Sequence, residues 1–469
     1  ESARAAASPT TCGAPQACPP PGQRLGASGL APGFCTGFFT EVPLVKRFVC
    51  AHATHPQWPV AAALVVTQLR AQLAARASAA PAAGGGATHG GDAGHTTTPL
   101  ALVYLTDHYA GAAAEILAYL GAELPQVTDW VGAVGVGIGA TGVEYWDEPA
   151  LVVMLCDLAP GRYRVFSGVA PLGATQGPEG FVPQTALVHA DPTAPDLTEL
   201  LQELAERTLG HYLFGGLVAS RAGSVQMACA SQGGLAGHGR EAAVGLFRGG
   251  FSGVAFGPDV GIVSRVTQGV RAVGPAHRVS AAHANRVESL DGQPALGCGV
   301  ARPGFVTGRS DGRHRPPAQT LVGCRRRSHA PRRRRALTGR VPLRLGDDVL
   351  VRHLVGIDPL RRAVVVADEV PTGALLTLCE RHVQAARADL VRICAEIRDE
   401  LSPEGDDTTD PTQRIAGAIY VSCNGRGGAH FGGPSAELQI VRQALGDVPL
   451  AGFFAAGEIA HHRLYGYTG

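Results

Sequence analysis

The sequence predicts an α/β protein: two domains of alternating strands and helices with mixed sheets, preceded by a disordered N-terminal segment and interrupted by an irregular arginine-rich insert. Three observations predict it. Apolar residues are 45% of the 469-residue chain and charged residues 17%, against about 25% charged in ordinary soluble domains. That leaves a large core to bury and too little charge for a disordered chain or a coiled coil. From Leu100 onward, short aliphatic runs alternate with stretches of helical period, the pattern of α/β architecture. The 63 glycines and 33 prolines that punctuate those runs mark turns and close backbone approaches. At roughly 150 residues per domain, the length fits two or three domains.

Residues 1–45, rich in Ala, Pro, Gly and Cys, show no sustained period and read as a disordered or non-native leader. Val45 stands where an alternative start codon would be translated, and ordered patterning begins at Lys46-Arg47-Phe48-Val49-Cys50-Ala51. A helix is expected over 60–75, where Val65, Leu69 and Leu73 recur every four residues. Residues 79–98 contain Gly84-Gly85-Gly86 and read as a solvated loop, so His89 and His95 are not taken as metal ligands. A strand at 101–105, a helix at 112–120, a Gly-interrupted strand at 130–138, a buried strand at 150–156 and a helix at 197–208 follow. Further strands are expected at 253–256, 260–267, 350–357 and 363–366. A long helix over 380–401 places Val383, Ala386, Leu390, Cys394 and Ile397 on one face. The chain then reads as an acidic loop at 402–411, a strand at 415–422, a helix at 436–445 and a strand at 450–455.

A weak internal echo runs through this order. Three times a helix precedes a Gly-studded strand: at Val131-Gly-Ala-Val-Gly135, at Tyr212-Leu-Phe-Gly-Gly216 and at Leu450-Ala-Gly-Phe-Phe454. Either glycine is simply abundant, or these positions mark close approach of backbone to a ligand or another strand.

The net charge of +1 hides a sharp asymmetry. Between Arg302 and Arg340 twelve arginines face one acid, Asp311, a local charge of +11, so the remainder carries −10. A single lysine, Lys46, against 39 arginines is read as the coding bias of a GC-rich genome. Eleven cysteines without C-x-x-C spacing fit a reducing cytoplasm better than a disulfide framework or zinc site. No run approaches the roughly 20 apolar residues of a membrane span, so no membrane association is expected.

Four motifs bear on chemistry. Gly137-Ile-Gly139-Ala-Thr-Gly142 has dinucleotide-fingerprint spacing, but the few residues before Leu151 leave no room for the required helix. It reads instead as a Gly-rich turn beside a small-ligand pocket, and Gly137 and Gly139, with Gly215 and Gly216 of the echo, are candidate lining residues. Ser422-Cys-Asn-Gly-Arg-Gly427 follows an apolar strand and precedes a helix. It reads as a binding-pocket cluster, as packing and turn chemistry, or as a catalytic thiol at Cys423 favoured by the neighbouring guanidinium. Arg426 is shaped to hold a carboxylate or phosphate bidentately. With Glu437 and Glu458 it offers one cation and two anions, a set that suits a zwitterion. Candidate ligand-binding residues are therefore Cys423, Asn424, Arg426, Gly427, Glu437 and Glu458. No catalytic residue, metal or cofactor is assigned, and the adjacent His461 and His462 would face opposite ways on a strand. Finally, Arg325-Arg-Arg-Ser-His-Ala-Pro-Arg-Arg-Arg-Arg335 resembles a nucleic-acid patch, but no aromatic residue between Val306 and Thr377 is available to stack a base. The abrupt composition of 297–340 reads as a frame-shifted segment, with a solvated linker and nucleic-acid binding as alternatives.

Leu102-Val-Tyr-Leu-Thr-Asp-His108, Gly132-Ala-Val-Gly-Val-Gly-Ile-Gly139, Glu148-Pro-Ala-Leu-Val-Val-Met154 and Phe251-Ser-Gly-Val-Ala-Phe-Gly257 resemble the FIST N-terminal domain, as do Val266-Thr-Gln-Gly-Val270, Gly274-Pro275 and Leu290-Asp-Gly-Gln-Pro-Ala-Leu296. Ser422-Cys-Asn-Gly-Arg-Gly427, Glu437 and Gly452-Phe-Phe-Ala-Ala-Gly-Glu-Ile459 resemble the FIST C-terminal domain. The resemblance implies an intracellular sensory module that binds a small ligand, such as an amino acid, and passes the signal to a partner encoded separately. It divides the chain into the leader at 1–45, an N-terminal domain at 46–296, the insert at 297–340 and a C-terminal domain at 341–469. The family usually continues past Tyr467-Thr-Gly469 into another strand, so the last domain is expected to be truncated.

Overall fold

Aliphatic strands buried on both faces organise the molecule. A computed structural model describes residues 48–79, 99–173, 180–230, 245–297, 350–402, 414–466 and 469, with the backbone of 320–325. These residues fall within one compact unit, Leu44–Gly469. The expected leader at 1–45, nearly all of the loop at 79–98, most of the insert at 297–340 with its arginine runs, and most of the acidic loop at 402–411 lie outside the described residues.

The first sheet contains β1 (Val49–Thr54), β2 (Leu100–Thr106), β3 (Asp129–Gly135), β6 (Ala150–Cys156), β10 (Gln226–Cys229) and β11 (Leu246–Phe247), in the order β1-β6-β2-β3-β10-β11. The second contains β4 (Gly137–Ala140), β5 (Val143–Trp146), β7 (Tyr163–Phe166), β8 (Thr185–Ala190), β9 (Leu213–Val218), β12 (Phe251–Phe256) and β22 (Leu450–His461), in the order β5-β4-β22-β9-β8-β12-β7. Strands β21 (Ala418–Cys423) and β23 (Arg463–Tyr465) also pair with β22.

Alternation along β2 shows how the layers form. Leu100, Leu102 and Tyr104 pack against the second sheet, with Ile138, Phe453 and Ala455. Ala101, Val103 and Leu105 pack beneath helices α1 (Trp58–Ala79) and α2 (Ala113–Glu123). Every residue of β2 is buried, which explains its unbroken apolar run. On the outer face of the second sheet lie α3 (Leu197–Glu206), against β8, β9 and β12, and the pair α4 (Val383–Leu401) and α5 (Ala436–Leu445), whose shared core includes Leu450 and reaches Ala418 and Tyr420. The result is a four-layer sandwich of helices, two mixed sheets and helices.

The internal echo has a structural cause. Helices α2, α3 and α5 each connect two adjacent parallel strands, β2 to β3, β8 to β9 and β21 to β22. In each unit a glycine of the second strand sits directly opposite a residue of the first: Gly132 opposite Val103, Gly215 opposite Val188 and Gly452 opposite Tyr420. A Cβ at these glycines would lie 1.6, 2.0 and 1.7 Å from the carbonyl oxygens of Val103, Val188 and Tyr420. The glycines mark close approach of strand to strand.

A third sheet of half-exposed antiparallel strands comprises β13 (Val270–Ala272), β14 (His277–His283), β15 (Arg286–Leu290), β16 (Gln293–Pro294), β17 (Thr320–Arg325), β18 (Leu350–Asp358), β19 (Ala363–Val366) and β20 (Leu375–Arg381). Strand β17 lies inside the segment read as irregular and pairs with both β18 and β20. Three expected elements differ. Residues 260–267 form an irregular connection, although Val260 and Ile262 still pack on the central core. The long helix begins at Val383, because β20 occupies 375–381 and His382 Nδ1 caps the helix by accepting from the Ala385 N–H at 3.1 Å. The last long strand runs six residues past its expected end, to His461, through a bulge between Ala455 and Glu458.

Candidate functional site

The carboxyl ends of two parallel pairs meet. Thr106 and Gly135 end β2 and β3 in register, and Ser422 pairs with Phe454 near the end of β21. A Cβ on Gly135 would stand 3.5 Å from the Phe454 carbonyl oxygen, so the two ends adjoin. In α/β sheets, the region beyond the carboxyl ends of parallel strands is where loops gather ligand-binding groups.

Arg426 lies there, in a single 3-10 turn (Asn424–Arg426) immediately after β21, and is only 1% exposed. Its Nη2 is 2.5 Å from Oε1 of the fully buried Glu437, the second residue of α5. That carboxylate also accepts hydrogen bonds from the Tyr420 hydroxyl at 2.7 Å and the Ser422 hydroxyl at 3.1 Å. Tyr420 and Ser422 are alternate residues of β21 and share a face. The guanidinium carbon is 5.1 Å from the Phe431 ring centroid, within cation–π range. Glu458, 4% exposed, lies just past the bulge of β22, opposite Gly216. Burial works against the guanidinium's charge, but Glu437, Tyr420 and Glu458 outweigh it and hold Arg426 above its ordinary pKa. Among the described residues, Arg426 Nε and Nη1, Asn424 Oδ1 and His430 Nε2 are buried without a hydrogen-bond partner.

The other candidate residues are placed differently, and not all of them adjoin this cluster. Gly427 and Gly137 both accommodate Trp146: a Cβ on Gly427 would lie 2.0 Å from its ring, and one on Gly137 2.6 Å. Gly139 makes room for Leu438 of α5, and Gly216 for Ala455 and Val421. Gly215 presses on the backbone of Val188, within the second sheet. Cys423 ends β21 and is buried. In the same turn, burial and the charges of Arg381 and Arg426 push His430 down to about 4. Arg381 reaches both the Gly425 carbonyl and His430 Nδ1.

Glu144 is a member of the cluster that the sequence reading missed. It is 7% exposed on β5, and its Oε1 accepts the N–H groups of Glu437 at 2.9 Å and Leu438 at 3.2 Å. It thus caps α5 from another element. Ser435, which precedes the helix, is left-handed (φ 58°) and its hydroxyl instead accepts the Glu144 N–H at 2.9 Å. Burial, and then the Glu437 charge, push the Glu144 carboxyl up to about 7. Tyr420 was also missed, and Ser422, which opens the quoted motif, was not among the candidates, though two polar residues at i, i+2 on an apolar strand were a readable signal. Glu144 gave none, because its partners lie almost 300 positions away.

At the same end, Asp107, His108, Arg221 and Ala222 line a surface groove of about 370 Å³. Arg221 holds Asp107 through Nε at 2.8 Å and Nη2 at 2.6 Å, and reaches Asp147 at 2.6 Å. Among the described residues no three His, Cys, Asp or Glu side chains are grouped to hold a metal, and no helix is long and apolar enough to cross a membrane.

Comparison with known proteins agrees with this architecture. The FIST N domain family model matches residues 99–293 and the FIST C domain model residues 318–461. Uncharacterized protein Rv0628c of Mycobacterium tuberculosis is 28% identical over 389 residues, covering 79% of this chain and 90% of that protein. Uncharacterized protein Mb0898c of Mycobacterium bovis is 30% identical over 207 residues, covering 43% and 48% respectively. FIST domains are associated with sensory signal transduction. With the N and C domains together matching well over half of its length, the chain belongs to the FIST family.

Proposed function

We propose that this protein is a cytoplasmic sensor that binds a small carboxylate-bearing ligand, an amino acid above all, at the Arg426 cluster and signals to a partner encoded separately. One observation carries the reading: a guanidinium 1% exposed that keeps Nε and Nη1 without hydrogen-bond partners among the described residues. Buried donors of this kind are normally satisfied, and a carboxylate satisfies two of them at once. The surrounding Glu437, Glu458 and Glu144 suit an ammonium group on the same ligand. Entry requires movement of the turn from Gly425 to Phe431, which Arg381 and Arg387 hold by bonds to the carbonyls of those two residues.

The thiol-hydrolase alternative at Cys423 is weaker. A general base must become cationic as it takes the thiol proton, and Arg381 and Arg426 oppose that charge on His430. No catalytic role, metal or cofactor is assigned, and the arginine-run reading, nucleic-acid binding, concerns residues outside the described ones.

A thermal-shift screen over amino acids and small carboxylates tests the proposal. A ligand at one hundred times its Kd stabilises the fold by about 2.7 kcal/mol. Cys423→Ser should preserve this stabilisation, and the paired variant Arg426→Met/Glu437→Gln should lose it. Absence of stabilisation by every compound, or its retention in the paired variant, refutes the assignment.

A further inference from the structure

The Arg426 cluster holds more acid than base. Among the described residues, Glu144, Glu437 and Glu458 are all at least nine-tenths buried, against one buried guanidinium. Glu144 differs from the other two in its place. It belongs to the β4–β5 hairpin, whereas Arg426, Glu437 and Glu458 come from the last fifty residues.

That hairpin is clamped onto α5 and the start of β22 along its length. The Thr141 hydroxyl accepts the Leu450 N–H at 2.9 Å, Gln439 Nε2 donates to the Gly142 carbonyl at 2.5 Å, and Glu144 takes the two free N–H groups of the first helical turn. Trp146, two residues on, lies against Gly427 and Gly428 and makes an edge contact with Phe454 at 4.9 Å. A change of charge at Glu144 is therefore felt at once by the cap of α5, by Glu437 and by the turn that carries Arg426.

We propose that Glu144 is a proton-carrying positioning residue: protonated, it leaves the Arg426–Glu437 pair neutral and α5 docked; ionised, it accepts the α5 N–H groups more strongly but sets a second buried negative charge against the pair, a larger penalty that withdrawal of the hairpin from the helix relieves. The inference rests on the binding-site reading for its regulatory meaning, namely that ligand charge and pH act on one hinge.

The groups around Glu144 agree with this assignment. From α5 it faces the Glu437 carboxylate and two backbone N–H groups, and from the turn after β21 the Arg426 guanidinium. Arg442, further along α5, packs beside Gly142 but is paired with Asp447 at 2.6 Å. On β5 itself, Tyr145 turns away to bond His52 Nδ1 at 2.6 Å, and beyond Trp146 the Asp147 carboxylate is taken by Arg221. Burial and the Glu437 charge oppose ionisation; the N–H bonds and Arg426 favour it; the balance lies with the proton, to about pH 7.

The sign follows. A carboxyl whose folded pKa is about 7, against an unfolded value of 4.5, contributes stability that is complete below 4.5 and is lost as pH rises through 7. Urea unfolding of the full chain between pH 5 and 8, without ligand, tests this. The wild-type unfolding constant should rise roughly 70-fold more than that of Glu144→Gln, which keeps the accepting oxygen but cannot ionise. Trp146 emission should shift with the same midpoint in the wild type and not in the variant. Should the variant fail to fold, carbon-13 carboxyl spectra of the glutamate-labelled wild type must show one side chain titrating near neutrality. Parallel pH profiles in the two proteins, or no such resonance, overturn the proposal. A screen that finds no ligand would remove the binding assignment and leave this result standing.

Discussion

Replacing Arg426 with methionine removes, among the described residues, the only buried guanidinium that faces Glu437 and leaves that carboxylate, which has no solvent exposure, with the Tyr420 and Ser422 hydroxyls as its described partners. Breaking one half of a buried pair costs about 3–5 kcal/mol, most of it the penalty of the abandoned charge. Glu437→Gln strands the guanidinium instead and should cost a comparable amount. The paired variant Arg426→Met/Glu437→Gln leaves neither member of the pair stranded: the glutamine carbonyl still accepts from both hydroxyls, and methionine fills most of the arginine stem's volume beside Phe431. Its cost should fall below that of either single change, a coupling of at least about 3 kcal/mol. Urea unfolding at pH 7 measures all four corners of the cycle. Additive costs, or a single Arg426→Met cost below about 1 kcal/mol, would show that the guanidinium is solvated in solution, and the binding assignment would lose its basis. The cycle also supplies the folded, guanidinium-free protein that the ligand screen requires.

Other predictions follow from single contacts. Tyr420→Phe removes one hydroxyl from the Glu437 carboxylate and should cost about 1.5–3 kcal/mol in the same assay. Gly427→Ala places a methyl group 2.0 Å from the Trp146 ring; about 1–3 kcal/mol of destabilisation and a shifted tryptophan emission are expected, whereas Gly433→Ala, with nothing within 4 Å, should change stability by less than about 1 kcal/mol. Gly452→Ala drives a methyl into the Tyr420 carbonyl at 1.7 Å and should prevent accumulation of folded protein, read as loss of soluble yield. Above pH 7, Glu144→Gln should be more stable than the wild type by about 2–3 kcal/mol, and the difference should vanish near pH 5.

The cluster also explains how the two family domains are joined. Strand β22, from the end of the chain, lies between β4 and β9, so residues separated by more than 200 positions share one sheet. The hairpin that pairs with β22 also caps the helix preceding it. Glu144 and Trp146 thus tie the helix and the turn that carries Arg426 directly to the N domain.

The sequence by itself determined the elements whose burial is two-sided or periodic. Strands such as Ala150–Cys156 and the helices over 58–79, 197–206 and 436–445 were legible because continuous apolar runs and four-residue spacing are local signals of the same burial that the fold enforces. The third sheet was mostly illegible for the converse reason. His277–His283 has one fully buried hydrophobic residue, Val279, and pairing across the sheet, not local pattern, makes it a strand. Arg426, Glu437 and Glu458 could be grouped in advance because a cation in a glycine-rich turn had two acids near it in sequence. That Arg426 and Glu437 bond each other, that Gly132, Gly215 and Gly452 yield to neighbouring carbonyls, and that Glu144 completes the cluster were decided only by tertiary structure. Hydrogen bonds of about 3 Å and clashes below 2 Å depend on chain segments brought together in space, and a linear order holds no record of those distances.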